Sequence, residues 1–155
     1  MVAPACGGTP GQPGGIIQQR LDRFISDWDG KYLNKYDSEP GQCVSVAETW
    51  SMDYLGLHGF NVTTAVQIID QPGSGYTRVD NGPTNFPPPG AIVVFHEDPA
   101  PAEGTGPAGH VDVCISADAN SFVGFDQNWP PGSPCHKVTH DYAAVAGWLI
   151  PNLPA

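Results

Sequence analysis

The chain is short of basic residues. It carries 6 Lys+Arg against 16 Asp+Glu in 155 residues, a net charge of −10. Binding to a nucleic-acid backbone needs a basic patch, and so few cations leave little to build one from. The same shortage argues against docking on anionic membranes or anionic wall polymers. Long apolar runs are also missing, so no stretch reads as a transmembrane helix. Residues 1–15 have neither a basic n-region nor an apolar h-region, and no secretory signal is read there. The four cysteines, Cys6, Cys43, Cys114 and Cys135, form no C-x-x-C pair and no zinc-ribbon spacing. A zinc module is thereby disfavoured, and free thiols are expected. There is no internal repeat.

What is abundant is turn chemistry. Gly at 19 and Pro at 17 imply short elements joined by many loops. Hydrophobic residues at 40% against 14% charged are enough for one real core in a chain of this length. After a lead-in over 1–15, Ile17, Leu21, Phe24, Ile25 and Trp28 mark one face of a helix from about Ile16 to Trp28. A polar, aromatic loop follows to Gly41. Val46, Ala47, Trp50, Tyr54 and Leu55 then recur at three- and four-residue spacing, a second amphipathic helix ending near Gly56. Thr63 to Ile69 suits a short helix with a threonine cap. Residues 71–90 read as a long Gly/Pro/Asn loop, either a groove wall or a solvated excursion.

The second half changes period. Ala91–Phe95 reads as a buried strand. His110–Ser116 alternates, Ala117–Asn120 makes a hairpin turn, and Ser121–Phe125 is the returning strand. Cys135–Val138 and Val145–Ile150 look like two more. Helices first and an antiparallel meander after them make an α+β domain over 16–151, helices on one side of the sheet, with 152–155 as a linker. Cys114 falls inside a strand and reads as core. Cys6 and Cys135 are the more exposed candidates.

Cys43 is the residue around which chemistry can gather. It follows Pro40-Gly41-Gln42 and opens the second helix. Free N–H groups and the positive end of the helix dipole favour a thiolate at such a place. A lone cysteine is more often an inert core residue, so partners decide the matter. A thiolate nucleophile wants an imidazole, and the imidazole wants a carboxylate or amide on its other nitrogen. His58 reads as surface, His96 ends a strand, and His136 and His140 lie in or near a late strand, where plain surface groups are one reading. His110 differs, because it opens a strand just after Gly109. If residues 110–116 pair with 120–126, His110 and Asp126 lie at the same end of one hairpin, and Asn128 shares a face with Asp126 if the strand continues.

Gly41-Gln42-Cys43-Val44, Pro89-Gly90-Ala91-Ile92-Val93-Val94-Phe95, Gly109-His110-Val111, Asp126-Gln127-Asn128-Trp129 and Gly147-Trp148-Leu149-Ile150-Pro151 occur in that order. The series resembles the successive motifs of the CHAP family (cysteine, histidine-dependent amidohydrolase/peptidase), from about Ile16 to Pro151. The resemblance implies a papain-like fold and hydrolysis of amide bonds in bacterial peptidoglycan, often as the catalytic head of a phage endolysin. It implies Cys43 as nucleophile and His110 as base. Asp126 would orient the base, Asn128 would assist, and Gln42 stands before the nucleophile as it often does in the family. Amides at the Cys43 helix start would hold the oxyanion, with a side chain from the Tyr32–Gln42 loop as a further candidate. Some family members bind calcium just before the cysteine. Here Asp27-Trp28-Asp29-Gly30-Lys31-Tyr32 lies too far upstream and Ser45 stands where an Asp is expected, so no cofactor or metal is expected.

The expectation is therefore a monomeric cell-wall hydrolase, made in the host cytoplasm and acting on the wall after release. Its net charge implies that wall attachment comes from a separate domain. Two rivals are a phage tail-associated structural or adhesive module on the same fold, and a cysteine hydrolase of a non-wall amide. Amidase and endopeptidase are not separated by these residues, because both cut amides.

Overall fold

The computed structural model describes residues 13–36, 42–97 and 106–153. The expected exposure of Cys6 and the greater part of the lead-in, of the Pro/Ala loop before Gly106 and of the turn before Gln42 lie outside these residues.

The first helix, α1 (Pro13–Trp28), begins a little earlier than its apolar stripe suggests. Ile17, Leu21 and Phe24 are buried, with Ile25 and Trp28 packed at the margin. The helix α2 (Cys43–Thr49) buries Val46 and Ala47 and runs straight into a π-helical turn, Trp50–Tyr54. Leu55 there donates to the Trp50 carbonyl, five residues back, at 3.1 Å. Trp50 is fully buried, lies tilted against Phe24 at 5.3 Å between ring centroids and donates its Nε1–H to the Gly90 carbonyl at 2.9 Å. Truncating a buried tryptophan of this kind costs about 3–5 kcal/mol. The short helix expected after Thr63 is a 3-10 helix, Ala65–Asp70. Thr64 caps it, in a reciprocal capping box with Gln67.

Six strands form one antiparallel sheet: β1 (Tyr76–Asp80), β2 (Ile92–Phe95), β3 (His110–Ala117), β4 (Phe122–Asp126), β5 (His136–His140) and β6 (Val145–Pro151). Their order is β1-β6-β2-β3-β4-β5. From β2 to β5 the chain meanders, and β6 then returns to pair with β2. The strand β1 corrects the reading of 71–90 as loop. Only Tyr76 of its five residues is buried. An edge strand needs one covered side, so Thr77, Arg78 and Asp80 stay polar and exposed, Val79 is only partly buried, and little periodic signal is left.

The two faces of the sheet hold different cores. Ile92, Val94, Val111, Val113, Phe125 and Leu149 pack with the helices. Ala91, Val93, Phe95, Cys114, Phe122, Val145 and Trp148 form a smaller cluster. Strand alternation puts His110, Asp112 and Cys114 on the face of this second cluster. Cys135 is fully buried, against expectation. Its backbone pairs with the loop after α1, where its amide donates to the Lys31 carbonyl at 2.9 Å.

Candidate active site

Cys43 is the first residue of α2, and Gln42 is an extended N-cap whose side chain makes no cap. The first-turn amides of a helix have no α-helical acceptor; the Ser45 amide turns to the Gln42 carbonyl at 3.3 Å. Cys43 is 8% exposed, packed yet reachable.

His110 opens β3. The residue before it, Gly109, has φ +75, and a Cβ there would sit 2.6 Å from the Phe95 carbonyl oxygen. Only glycine lets the chain bend so tightly into the strand. The Cys43 sulfur hydrogen-bonds the His110 ring. The ring's Nε2–H donates to Asp126 Oδ2 at 2.6 Å, which leaves Nδ1 to face the sulfur. Burial alone would lower the His110 pKa. The negative Cys43 sulfur, together with the hydrogen bond and charge of Asp126, outweighs it and pushes the value up to about 10. The charged imidazolium form of His110 is thereby favoured, held between the sulfur and a carboxylate.

Asp126 ends β4 and is fully buried. Its carboxyl is held below the ordinary range. Burial opposes this, but hydrogen bonds from His110 and His140 prevail. Asn128 does not share its face. The strand stops at Asp126, and Asn128 turns into a left-handed conformation with φ 66. Its Oδ1 accepts the Gly132 amide at 2.7 Å and its Nδ2 donates to Gln42 Oε1 at 3.4 Å. Of the two candidates, Asp126 is the one that hydrogen-bonds His110. Asn128 instead shapes the turn and reaches the residue before the nucleophile.

Residues 32–128 match a family model described as CHAP domain. The chain belongs to the CHAP domain family. No curated protein matches it. Among solved structures this CHAP domain is similar to the wild-type endolysin LysIME-EF1, with TM-score 0.68 and 20% identity over 87% of this chain and 63% of that one. It is also similar to Ly7917 solved with the hydrolyzing product of MDP, with TM-score 0.65 and 16% identity over 87% and 62%. Ly7917 solved without mention of that product gives TM-score 0.60 and 18% identity over the same shares. At such identities the likeness carries the fold. The CHAP domain spans under two thirds of the length of these neighbours.

Two of its site residues escaped the reading of the sequence. Gln127 is fully buried. Its amide donates to the carbonyls of Leu33 and Gln42, each at 2.9 Å, and its Oε1 accepts the Leu33 amide at 2.6 Å. It fastens the start of α2 to the end of β4. Its place between two candidate residues was the only available signal. His140 is the second, and the surface reading does not hold for it. It is buried, and its Nε2–H donates to Asp126 Oδ2 at 2.9 Å. Asp112 Oδ2 lies 3.3 Å from the same nitrogen.

The other described thiols of the CHAP domain are different in kind. Burial pushes the pKa of Cys114 and of Cys135 well above the usual thiol range, so both stay protonated. Among the described residues, oxygens before and after Cys43 have other partners. Asp27 accepts the Tyr54 hydroxyl at 2.6 Å, Lys35 pairs with Asp53, and Ser45 donates to the Lys35 carbonyl. Among the described residues, donor atoms of His110, Asp112 and Asp126 lie within 4.8 Å of one another. A tetrahedral zinc with bonds of about 2.0–2.1 Å would hold its ligands over 3 Å apart. The 2.6 Å between His110 and Asp126 is a hydrogen bond instead. Tyr32 and Tyr36 spend their hydroxyls on the Gly132 carbonyl and on Asp53. A side-chain oxyanion donor from residues 37–41 lies outside the described residues.

Proposed function

We propose that this CHAP domain hydrolyses amide bonds of bacterial peptidoglycan, in the manner of an endolysin catalytic domain. The observation that carries the reading is the Cys43–His110–Asp126 relay, with the sulfur at a helix start and the carboxylate on the far nitrogen of the base. The Cys43 thiolate attacks the amide carbonyl. The oxyanion faces the amides of the first turn of α2. The His110 imidazolium protonates the departing amine and leaves a thioester. Water then attacks the thioester while His110 takes its proton. Asp126 fixes the ring and stabilises its charged form, and Asn128 and Gln42 shape the wall beside the sulfur.

Support for a wall substrate comes from the family and from a neighbour, Ly7917, that was solved with the hydrolyzing product of MDP. The net charge of −10 supports attachment to the wall by a separate domain. The protein acts after release from the cell that makes it, as a monomer in solution.

Cys43→Ala tests the chemistry. Lysis of purified walls should fall to background while the melting temperature holds. Unchanged lysis would refute the mechanism. Mass spectrometry of the released fragments identifies the new termini, and so decides between amidase and endopeptidase. If the native protein lyses no wall but Cys43 reacts fast with iodoacetamide, the substrate is an amide from another source.

A further inference from the structure

The relay accounts for one oxygen of Asp126 and leaves His140 and Asp112 without a task. His140 ends β5, and its side chain is 4% exposed. It reaches across the gap left by Gly124, where a Cβ would fall 2.1 Å from Asp112 Oδ2 and 2.7 Å from Asp126 Oδ1. Phe95, Phe122 and Trp129 wall the ring at 5.0, 5.2 and 4.8 Å. Phe95 and Trp129 also flank His110, at 5.3 and 4.6 Å. One aromatic cage thus holds two imidazoles that meet the same carboxylate oxygen.

The hydrogen-bond pattern gives that meeting its meaning. Asp126 Oδ2 accepts from His110 at 2.6 Å and from His140 at 2.9 Å. Asp126 Oδ1 has no hydrogen-bond partner. A carboxylate held through a single bond could turn about Cβ–Cγ and exchange its oxygens. Held through two donors on one oxygen, it cannot turn without breaking both. We propose that His140 is a positioning residue: its Nε2–H locks Asp126 Oδ2 against His110 Nε2, and Asp112 Oδ2 on β3 lies 3.3 Å from the same nitrogen. The inference rests on reading Cys43, His110 and Asp126 as the relay. Burial would lower the His140 pKa, but bonding to Asp112 and Asp126 raises it to about 9. The Nε2–H is therefore in place at neutral pH.

The test compares His140→Phe, which keeps the cage but removes the donor, with His140→Gln, which keeps an N–H. In His140→Phe, turnover on purified walls should fall about 100-fold at unchanged KM, the cost of a misplaced group about 1 Å off. Alkylation of Cys43 by iodoacetamide at pH 6, read peptide by peptide, should slow about 10-fold as the thiolate loses its oriented imidazolium. His140→Gln should recover most of both losses. Should His140→Phe fail to fold, His140→Asn, whose amide is too short to reach, takes its place with the same expectation. Wild-type turnover without the donor would overturn the proposal. So would equal losses in Gln and Phe that follow the melting temperature alone. A stoichiometric metal in the purified protein, with activity lost to a chelator, would overturn it as well. Alkylation needs no substrate. A protein that alkylates as expected yet lyses no wall refutes the wall-hydrolase reading and leaves the role of His140 standing.

Discussion

Gly124→Ala adds one methyl group and should disable the site. The residue lies mid-strand in β4, facing two buried carboxylates. Its Cβ would fall 2.7 Å from Asp126 Oδ1 and 2.1 Å from Asp112 Oδ2, where ordinary contact begins at 3.4 Å. The carboxylates must therefore retreat by about 0.7 Å and about 1.3 Å, the differences between these values. Both side chains are 0% exposed, so neither can swing into solvent. Overpacking of this kind costs about 1–3 kcal/mol, or roughly 2–12 °C in melting temperature for a domain of this size. The effect on chemistry is larger. A shift of this size stretches the 2.6 Å bond from His110 to the limit of good hydrogen-bond geometry. A misplacement near 1 Å costs on the order of 100-fold in rate. Turnover on purified walls, measured beside thermal denaturation, is the assay. Gly147→Ala is the control, because its Cβ would strike the Val79 carbonyl at 2.4 Å in the β1–β6 pairing, away from the site. It should lower the melting temperature and spare the turnover of the folded protein. Wild-type turnover and melting in Gly124→Ala would refute the account of the carboxylate pair.

Asp126→Asn should reduce turnover on the order of 1,000-fold, since the imidazolium loses its anionic acceptor. Asn128→Gly, which tolerates the left-handed backbone, should cost less than about 10-fold, chiefly through the lost Gly132 bond. The reverse ranking would make Asn128 the orienting residue. Stability should also decline as pH rises from 6.5 to 10. His140 and His110 have folded-state values of about 9 and about 10 against 6.5 unfolded. Their contribution is complete below 6.5 and is lost as pH rises through those values. Asp112, raised from 3.8 to about 7 by burial and by Asp126, adds the same sign between those limits. Thermal melts across this range check the sign, and a flat or rising profile would contradict it.

Cys43 was readable from its place at a helix start, and His110 and Asp126 as the first and last residues of one hairpin. A short hairpin turn pairs β3 with β4, although the register is shifted by two residues from the expected one: Val113 lies opposite Phe125, not Val123. What is joined through a tight turn can be read from spacing. His140 and Asp112 could not be found that way. They meet over the space that Gly124 leaves, and an absent side chain announces nothing about what fills it. Asn128 was placed by assuming that the strand continued, whereas its positive φ ends it. Cys135 looked exposed because its neighbours are polar and Pro-rich. Its burial comes from pairing with residues about a hundred positions upstream. The strand β1 was missed because its alternation has one buried member.

Gln127 ties Leu33, 94 positions upstream, and Gln42, 85 positions upstream, to the end of β4. The nucleophile's helix can form early, yet its first turn has no such anchor until residue 127 exists. Closing loops of that length is slow compared with winding a helix. A ribosome that has made the first two thirds of the chain thus carries a cysteine without a base and a helix start without its clamp. Competence arrives late in synthesis, with the last third of the polypeptide. The order of the residues thus writes a delay into the assembly of the site.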